Sequence, residues 1–562
     1  MNTLLAVEGL VIEDSNGKLL VNNLSFSIPP SGVVSIVGES GSGKSLTALS
    51  IMGMLPVGIK QTKGRFTYAK ENGTLIQWGA GMAIPTVMRG KEVGFVFQES
   101  MSSLNPLLTC GEQLTETLKC HFKLSRNEAQ EQAINWLERV RLRDVLKIFR
   151  SYPHQISGGQ KQRVCIAIAL CGRPKLLLAD EPTTALDVQV QHSIIELFTQ
   201  LQEELGLSLL FISHDLKLVQ KLGGHIVVLR NGVLQEFRES SALFAKPMAP
   251  YTQALLSCRP TLYPRLERLP TVTDFENSSP KSLKQRTQQE EEANVAYLDK
   301  QPVLTCLDKV EVRFNKTKSI LNRCAHDFTA VYPTSLTLRK GEALGIVGES
   351  GSGKTTLIRT WLGLQGCFAG EGYWEGKPLG LKKNNSFTPI IRKKIQLVYQ
   401  DPASALNPRQ SVFQTLAEPL IQHKLTRAGN ECSQKVKQLL NDVGMSDIVE
   451  SKKTTELSGG QKQRLCIARA LCLGSEVLVL DEAVSALDVS VQAQILNLLN
   501  DLKWEKSLSY IFVSHDLAVV GQLCDTLAVL QNGKLVEIGP THKLINHPSH
   551  PYTKQLIALS RI

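Results

Sequence analysis

The chain has 562 residues, 42% of them hydrophobic and 20% charged, with a formal net charge of +11. That length accommodates several domain units with well-buried cores, and no apolar run is long enough to offer a membrane-spanning helix. The first twenty residues carry Glu8, Glu13 and Asp14 and do not read as a signal peptide, so the chain is expected to stay in the cytosol, any membrane role falling to partner subunits.

Along the chain, Val33–Val37 is an apolar, strand-like run that ends at a glycine-rich loop, Gly38-Glu39-Ser40-Gly41-Ser42-Gly43-Lys44-Ser45. The loop fits G-x-x-x-x-G-K-[ST]. Its backbone N–H groups can curl around phosphate oxygens, Lys44 can reach the β/γ-phosphates, and Ser45 can ligate Mg²⁺. Gln113–Leu142 has amphipathic helical spacing and predicts a small helical subdomain. Next comes Ser157-Gly158-Gly159-Gln160. Ser157 suits a helix N-cap, and the two glycines allow a close approach to an anion. Lys175–Ala179 is an apolar run closed by Asp180-Glu181. The first acid suits an outer Mg²⁺ ligand and the second is placed to polarise an attacking water. Leu207–Ser213 runs into His214, and Pro250-Tyr251-Thr252 comes near residue 260.

Beyond this point the chain turns polar. Asn277–Ala293 is nearly free of large apolar residues and has linker composition, with a solvated helix near Gln285–Ala293 as the alternative. Then the pattern starts again. Ala343–Val347 leads into Gly348-Glu349-Ser350-Gly351-Ser352-Gly353-Lys354-Thr355. Gln414–Val443 repeats the helical spacing, and Ser458-Gly459-Gly460-Gln461, Asp481-Glu482, His515 and Pro551-Tyr552-Thr553 come after it in the same order. Lys44 and Lys354 are 310 residues apart, whereas Ser157/Ser458, Asp180/Asp481 and His214/His515 are each 301 apart. The first copy therefore carries a longer connection near residues 60–90. The expected organisation is a first domain over 1–260, a polar linker over 261–302 and a second domain over 303–562. Each domain is α/β, with the polar residues gathered at strand ends.

The basic charge is compatible with a nucleic-acid or anionic-membrane partner, but no long Lys/Arg block stands out, so it reads as a solvated surface. The twelve cysteines lack metal-ligand spacing. Cys165 with Cys171, and Cys466 with Cys472, read as buried small apolar residues copied with the repeat.

Taken together, these motifs resemble an ATP-binding cassette (ABC) ATPase with two nucleotide-binding domains in one chain. The resemblance covers nearly all of the sequence except the linker. It implies, in each half, a RecA-like α/β core, an antiparallel β subdomain and a helical subdomain. It makes Ser157–Gln160 and Ser458–Gln461 signature loops, and Asp187 and Asp488 the D-loop acids. Gln98 and Gln400 match the glutamine loop that senses Mg²⁺, and His214 and His515 match the switch histidine at the γ-phosphate. Glu181 and Glu482 would be the catalytic bases. Mg²⁺ would be held by Ser45, Asp180 and Gln98 in one half and by Thr355, Asp481 and Gln400 in the other. The family arrangement is a head-to-tail sandwich in which each signature loop serves the other copy's ATP.

Ala249-Pro250-Tyr251-Thr252 and His550-Pro551-Tyr552-Thr553 resemble the tails of peptide/nickel importer ATPases, as do Ser102–Pro106 and Ser404–Pro408. By that resemblance the partners are two transmembrane permease subunits and an extracytoplasmic solute-binding protein. The chain would lie peripherally on the cytoplasmic face of the inner membrane and make no direct contact with nucleic acid. A soluble tandem ABC ATPase acting on ribosomes or nucleic acid is the alternative, and the motor of an exporter a third.

The sequence departs from the family pattern in three places. The family's adenine-stacking aromatic falls on Phe314 in the second copy but on Asp14 in the first, so weaker nucleotide binding is expected at the first site. Ala483 stands where the first copy has Pro182. Only Cys258 and Cys306 flank the linker, so the iron–sulfur centre of some relatives is not expected.

Overall fold

The computed structural model describes residues 3–98, 103–184, 186–277, 284–314, 328–382, 388–485 and 487–561. Ser102, at the start of the first Ser102–Pro106 motif, lies outside them. The chain divides into two units. The first comprises the chain up to Ser257 with Phe275–Asn277, and the second takes Cys258–Asp274 and the chain beyond residue 277.

In the first unit, β1 (Leu5–Asp14), β2 (Leu19–Ile28), β4 (Ile59–Ala69) and β5 (Leu75–Gly79) form an antiparallel sheet in the order β2-β1-β4-β5. Its alternating burial marks one face on the core. The second sheet contains β3 (Val33–Val37), β6 (Val93–Val96), β7 (Leu176–Asp180), β8 (Ser208–Ile212), β9 (His225–Arg230) and β10 (Val233–Glu239). The order is β10-β9-β3-β8-β7-β6, parallel except for β10. β3, β7 and β8 are buried at every position, as expected of strands covered on both faces. One core joins the two sheets and includes Leu10, Ile36, Ala48, Phe66, Trp78 and Leu210. The longer connection expected near residues 60–90 is the β4–β5 hairpin. Its Trp78 Nε1 donates to the Ile51 carbonyl at 2.9 Å, at the end of the helix Lys44–Ile51.

The second unit repeats the plan. β11 (Val303–Phe314), β12 (Phe328–Arg339), β14 (Ala369–Trp374) and the two-residue β15 (Lys377–Pro378) make the antiparallel sheet. β13 (Ala343–Val347), β16 (Ile395–Val398), β17 (Val477–Asp481), β18 (Ser509–Ser514), β19 (Thr526–Gln531) and β20 (Lys534–Pro540) make the other, in the order β16-β17-β18-β13-β19-β20.

The helical subdomains are present, each divided into separate helices. In the first unit the helices are Cys110–His121 and Arg126–Arg139. The break falls where Ser125 and Glu128 form a capping box and start a new helix. In the second unit Val412–Gln422 and Asn430–Asp442 are separated around Gly429, whose φ of 127° suits glycine.

The stretch 261–302, expected as a polar linker, has a different organisation in its described parts. Cys258–Asp274 counts with the second unit, and Gln288–Asp299 is a helix opened by a Thr287–Glu290 capping box. The reason is a buried polar network. Arg265 is 5% exposed, and its guanidinium donates to the carbonyls of Gln522, Leu523 and Cys524 at 2.9–3.2 Å. It lies 3.5 Å from both Glu291 and Asp525. Leu269 N–H donates to Asn497 Oδ1 at 2.9 Å, and Asn497 Nδ2 donates back to the Leu269 carbonyl at 2.7 Å. Buried polar groups require partners, and here a segment of linker composition supplies them.

Candidate active site

The central strand of each parallel sheet feeds the glycine loop. β3 lies between β8 and β9, and β13 between β18 and β19. The loop, the end of β7 and the end of β8 therefore meet at the carboxyl edge, where open α/β sheets bind ligands.

Gly38 and Gly348 sit where the backbone turns against β9 and β19. A Cβ on Gly38 would lie 2.1 Å from the Leu229 carbonyl oxygen, and one on Gly348 would lie 2.2 Å from that of Leu530. Gly43 and Gly353, each at φ 98°, start the helices Lys44–Ile51 and Lys354–Trp361. Between them the loop closes on itself through Ser42 N–H to the Glu39 carbonyl and Ser352 N–H to that of Glu349, at 3.0 and 3.1 Å. Ser40, Gly41, Ser350 and Gly351 form the tips, and both Gly41 and Gly351 have open space where a Cβ would stand.

Lys44 is buried, and its Nζ donates to the carbonyls of Gly38 and Glu39 at 2.8 and 2.9 Å. Lys354 does the same to Gly348 and Glu349 at 2.7 and 2.8 Å. The loop thus holds an ammonium at its own mouth. Ser45 Oγ donates to Asp180 Oδ1 at 2.9 Å, bringing together two of the residues named for Mg²⁺. Burial pushes the Asp180 carboxyl up to about 6, with Ser45 and Lys44 opposing and Glu181 adding. Burial likewise raises Asp481, and its Oδ1 has no hydrogen-bond partner among the described residues. A buried carboxylate raised by desolvation beside a loop of this kind suits a cation. Thr355 is the second residue of the helix Lys354–Trp361.

Glu181 and Glu482 stand on left-handed backbone, at φ 44° and 48°, directly after β7 and β17. This conformation is unfavourable for a side-chain-bearing residue and concentrates at functional sites. Glu181 Oε2 accepts from Gln98 Nε2 at 3.1 Å and from Thr184 Oγ1 at 3.0 Å, with His214 Nδ1 at 3.3 Å. Burial would raise its pKa, but His214, Lys44 and Thr184 together hold it down to about 2. In the second unit Gln400 Nε2 donates to Glu482 Oε2 at 2.7 Å, and His515 Nδ1 lies 3.5 Å from Oε1. Burial again works against ionisation of Glu482, and His515 and Lys354 outweigh it. His515 is raised in turn: its burial is overcome by Glu482 and Asp516. Each unit thus brings an ionised glutamate, a glutamine and a histidine into one cluster at the sheet edge.

The signature stretches are engaged in their own arrangement. Ser157 and Ser458 are the N-caps of Gly158–Leu170 and Gly459–Leu471, each in a capping box with Gln160 or Gln461. Gly159 and Gly460 pack closely on Val190 and Val491, where a Cβ would fall 2.8 and 2.5 Å from a methyl. Asp187 caps the helix Val188–Leu205 through Val190 N–H at 2.9 Å, and Asp488 is the N-cap residue of Val489–Glu505.

Phe314 closes β11 opposite Phe328, with 40% of its surface exposed. Asp14 closes β1 and is used locally, its Oδ1 accepting the N–H groups of Asn16 and Lys18 at 2.8 and 2.9 Å. Sequence reasoning does not find Thr184; its place three residues after Glu181, on a turn, is the available signal. The second unit has Ser485 there, whose hydroxyl donates to the Glu482 carbonyl instead of the carboxylate.

The ABC transporter family model matches residues 21–184 and 331–485, spanning both glycine loops and both Asp-Glu pairs. The chain belongs to the ABC transporter family. It is an ABC ATPase with two ATP-binding cassettes, and each α/β unit described above is one of them. The oligopeptide/dipeptide transporter C-terminal region matches residues 235–285 and 536–560. The glutathione import ATP-binding protein GsiA of Escherichia coli K12 is 40% identical over 99% of this chain and 89% of its own length. YejF of the same strain, an uncharacterised ABC transporter ATP-binding protein, is 40% identical over 99% of each chain. Among solved structures, CbiO1 of Clostridium perfringens, part of an ABC transporter complex, is 25% identical over 44% of this chain and 92% of that one, with a TM-score of 0.38. Among the described residues of the two cassettes, no helix is long and apolar enough to cross a membrane.

Proposed function

We propose that this chain is the ATP-hydrolysing subunit of an importer for peptides, oligopeptide or dipeptide in size, or for related solutes such as nickel complexes. The observation that carries this reading is the transporter C-terminal region at the end of both cassettes. Relatives named for glutathione import support a small-peptide cargo. The partners in this reading are two transmembrane permease subunits and an extracytoplasmic solute-binding protein, with the chain peripheral on the cytoplasmic face of the inner membrane. Labelled di- and tripeptide uptake in cells lacking the chain tests it. Lost uptake restored by the intact chain is the expected result. Normal uptake with disturbed translation favours the soluble ribosome-directed alternative.

Within each cassette the glycine loop, with Lys44 or Lys354, binds the β- and γ-phosphates of ATP. Mg²⁺ fits beside Ser45 and Asp180, and beside Thr355 and Asp481, with Gln98 and Gln400 nearest the glutamates. When bound, it neutralises phosphate charge. Glu181 and Glu482, ionised through their histidines, accept a proton from the attacking water at a carboxylate oxygen. His214 and His515 hold those carboxylates and reach toward the γ-phosphate.

The two sites differ in their aromatic complement, Phe314 against Asp14. Stacking on an aromatic contributes roughly 1–3 kcal/mol, so the first cassette binds nucleotide more weakly. Titration of Lys44→Ala, which leaves the second site, and Lys354→Ala, which leaves the first, is expected to give tighter binding in Lys44→Ala. Equal affinities would sink the asymmetry.

A further inference from the structure

The tail motif that marks the transporter class also reaches the nucleotide loop. In the second cassette, β20 carries Glu537, whose carboxylate accepts the N–H groups of Ser549 and His550 at 2.8 and 3.1 Å. This fixes the chain where the helix Pro551–Arg561 begins. Tyr552 N–H then donates to His550 Nδ1 at 3.2 Å, and the Tyr552 ring is buried, 5% exposed. At the far end of that ring, the hydroxyl accepts the N–H of Glu349 at 3.1 Å. Glu349 lies inside the glycine loop, and its carbonyl is one of the two that hold Lys354 Nζ. One loop residue is therefore gripped on its N–H by the tail and on its carbonyl by the phosphate-binding lysine.

We propose that Tyr552 is a positioning residue for ATP at the second cassette: its hydroxyl fixes Glu349 and, through that residue's carbonyl, the place of the Lys354 ammonium. The inference rests on the reading of Gly348–Thr355 as an ATP-binding loop. The first cassette has the same frame with a different neighbour. Glu236 accepts from Met248 and Ala249 N–H at 3.1 and 3.0 Å, and Tyr251 is buried. The Arg230 guanidinium lies 4.9 Å from the Tyr251 ring centre, where the second cassette has Gln531. The assignment is made for Tyr552 alone.

The test uses the full chain carrying Lys44→Ala, so that a fluorescent ATP analogue (mant-ATP) reports the second site. Adding Tyr552→Phe removes the hydroxyl and keeps the buried ring. Affinity is expected to fall about fivefold, the worth of one hydrogen bond of ordinary strength, with the nucleotide-free melting temperature lowered by no more than about 2–4 °C. Tyr251→Phe in the same background is expected to leave this affinity as it was. Tyr552→Leu, which also empties the ring's site, is expected to lower both affinity and melting temperature. Unchanged affinity in Tyr552→Phe, with the Lys44→Ala parent binding normally, overturns the role of Tyr552 alone. A parent that binds no mant-ATP overturns the reading of the loop, and this inference with it.

Discussion

The chain carrying both Glu181→Gln and Glu482→Gln is expected to bind ATP and to turn it over about 10²–10⁴-fold more slowly, the range typical of a lost general base. The substitution keeps size and shape but removes the ionised carboxylate proposed to take the proton from water. The surroundings are built to keep that group ionised: in the first cassette His214, Lys44 and Thr184 hold Glu181 at about 2 against its burial. They are also built to aim it, since Gln98 and Thr184 both donate to the same oxygen, and the left-handed backbone at φ 44° throws the side chain off the line of β7. Lys44 and Lys354 are held by the loop carbonyls of Gly38, Glu39, Gly348 and Glu349, which the substitution leaves in place, so binding survives. Phosphate release in the steady state and equilibrium nucleotide binding, measured on one preparation, separate the two effects. Near-normal phosphate release would remove both glutamates from the role of base.

The second large effect is on folding. Asp525→Ala is expected to destabilise the second cassette by about 3–5 kcal/mol, the usual cost of removing one member of a buried ion pair. For a unit of this size that lowers its unfolding temperature on the order of 10 °C. Asp525 is 3% exposed; its carboxylate contacts Lys503 Nζ, accepts from Asn294 Nδ2 at 3.0 Å and Ala343 N–H at 2.9 Å, and lies 3.5 Å from Arg265. Burial opposes its ionisation, but Lys503 and Arg265 prevail and hold its pKa below the ordinary value. Truncation would leave two buried cations without that counter-charge. The matching positions of the first cassette are Gly224 and Gln202, and Gln202 Nε2 donates to the Ser31 carbonyl at 2.7 Å. Calorimetry of the full chain should show one transition lowered and the other in place. A shift too small to resolve would mean that the network is tolerated without its central acid.

The parts legible in the sequence were those the repeat printed twice at fixed spacing. Gly38–Ser45, Asp180-Glu181 and His214 return as Gly348–Thr355, Asp481-Glu482 and His515, and each is tied to a strand end by local apolar runs. The capping role of Ser157 and Ser458 was legible because a capping box is a contact over three residues. What escaped depends on pairs far apart in the chain. The Tyr552 hydroxyl meets an amide 203 residues away, and Arg265 meets carbonyls more than 250 residues away. No periodicity reports such pairs. The polar stretch 261–302 was legible in part, since the helix weighed near Gln285–Ala293 is present as Gln288–Asp299; composition measures how much apolar surface a segment can bury, and so it could not show that the Arg265–Leu269 part is held by arginine and asparagine partners. Glu181 and Glu482 were legible as acids. Their positive φ was not, because it is imposed by the sheet edge and is not a preference of glutamate.

The Arg265 network has a consequence for how the protein is made. Arg265 leaves the ribosome 260 residues ahead of Asp525, an interval of roughly 15–50 s at ordinary elongation rates. Apart from Phe275–Asn277, the first cassette is complete before that interval opens. The segment behind it waits with Glu291 as the guanidinium's nearby acid until Asp525 is translated. Vectorial synthesis thus lets one half settle while the other still lacks the charge that its leading segment folds against.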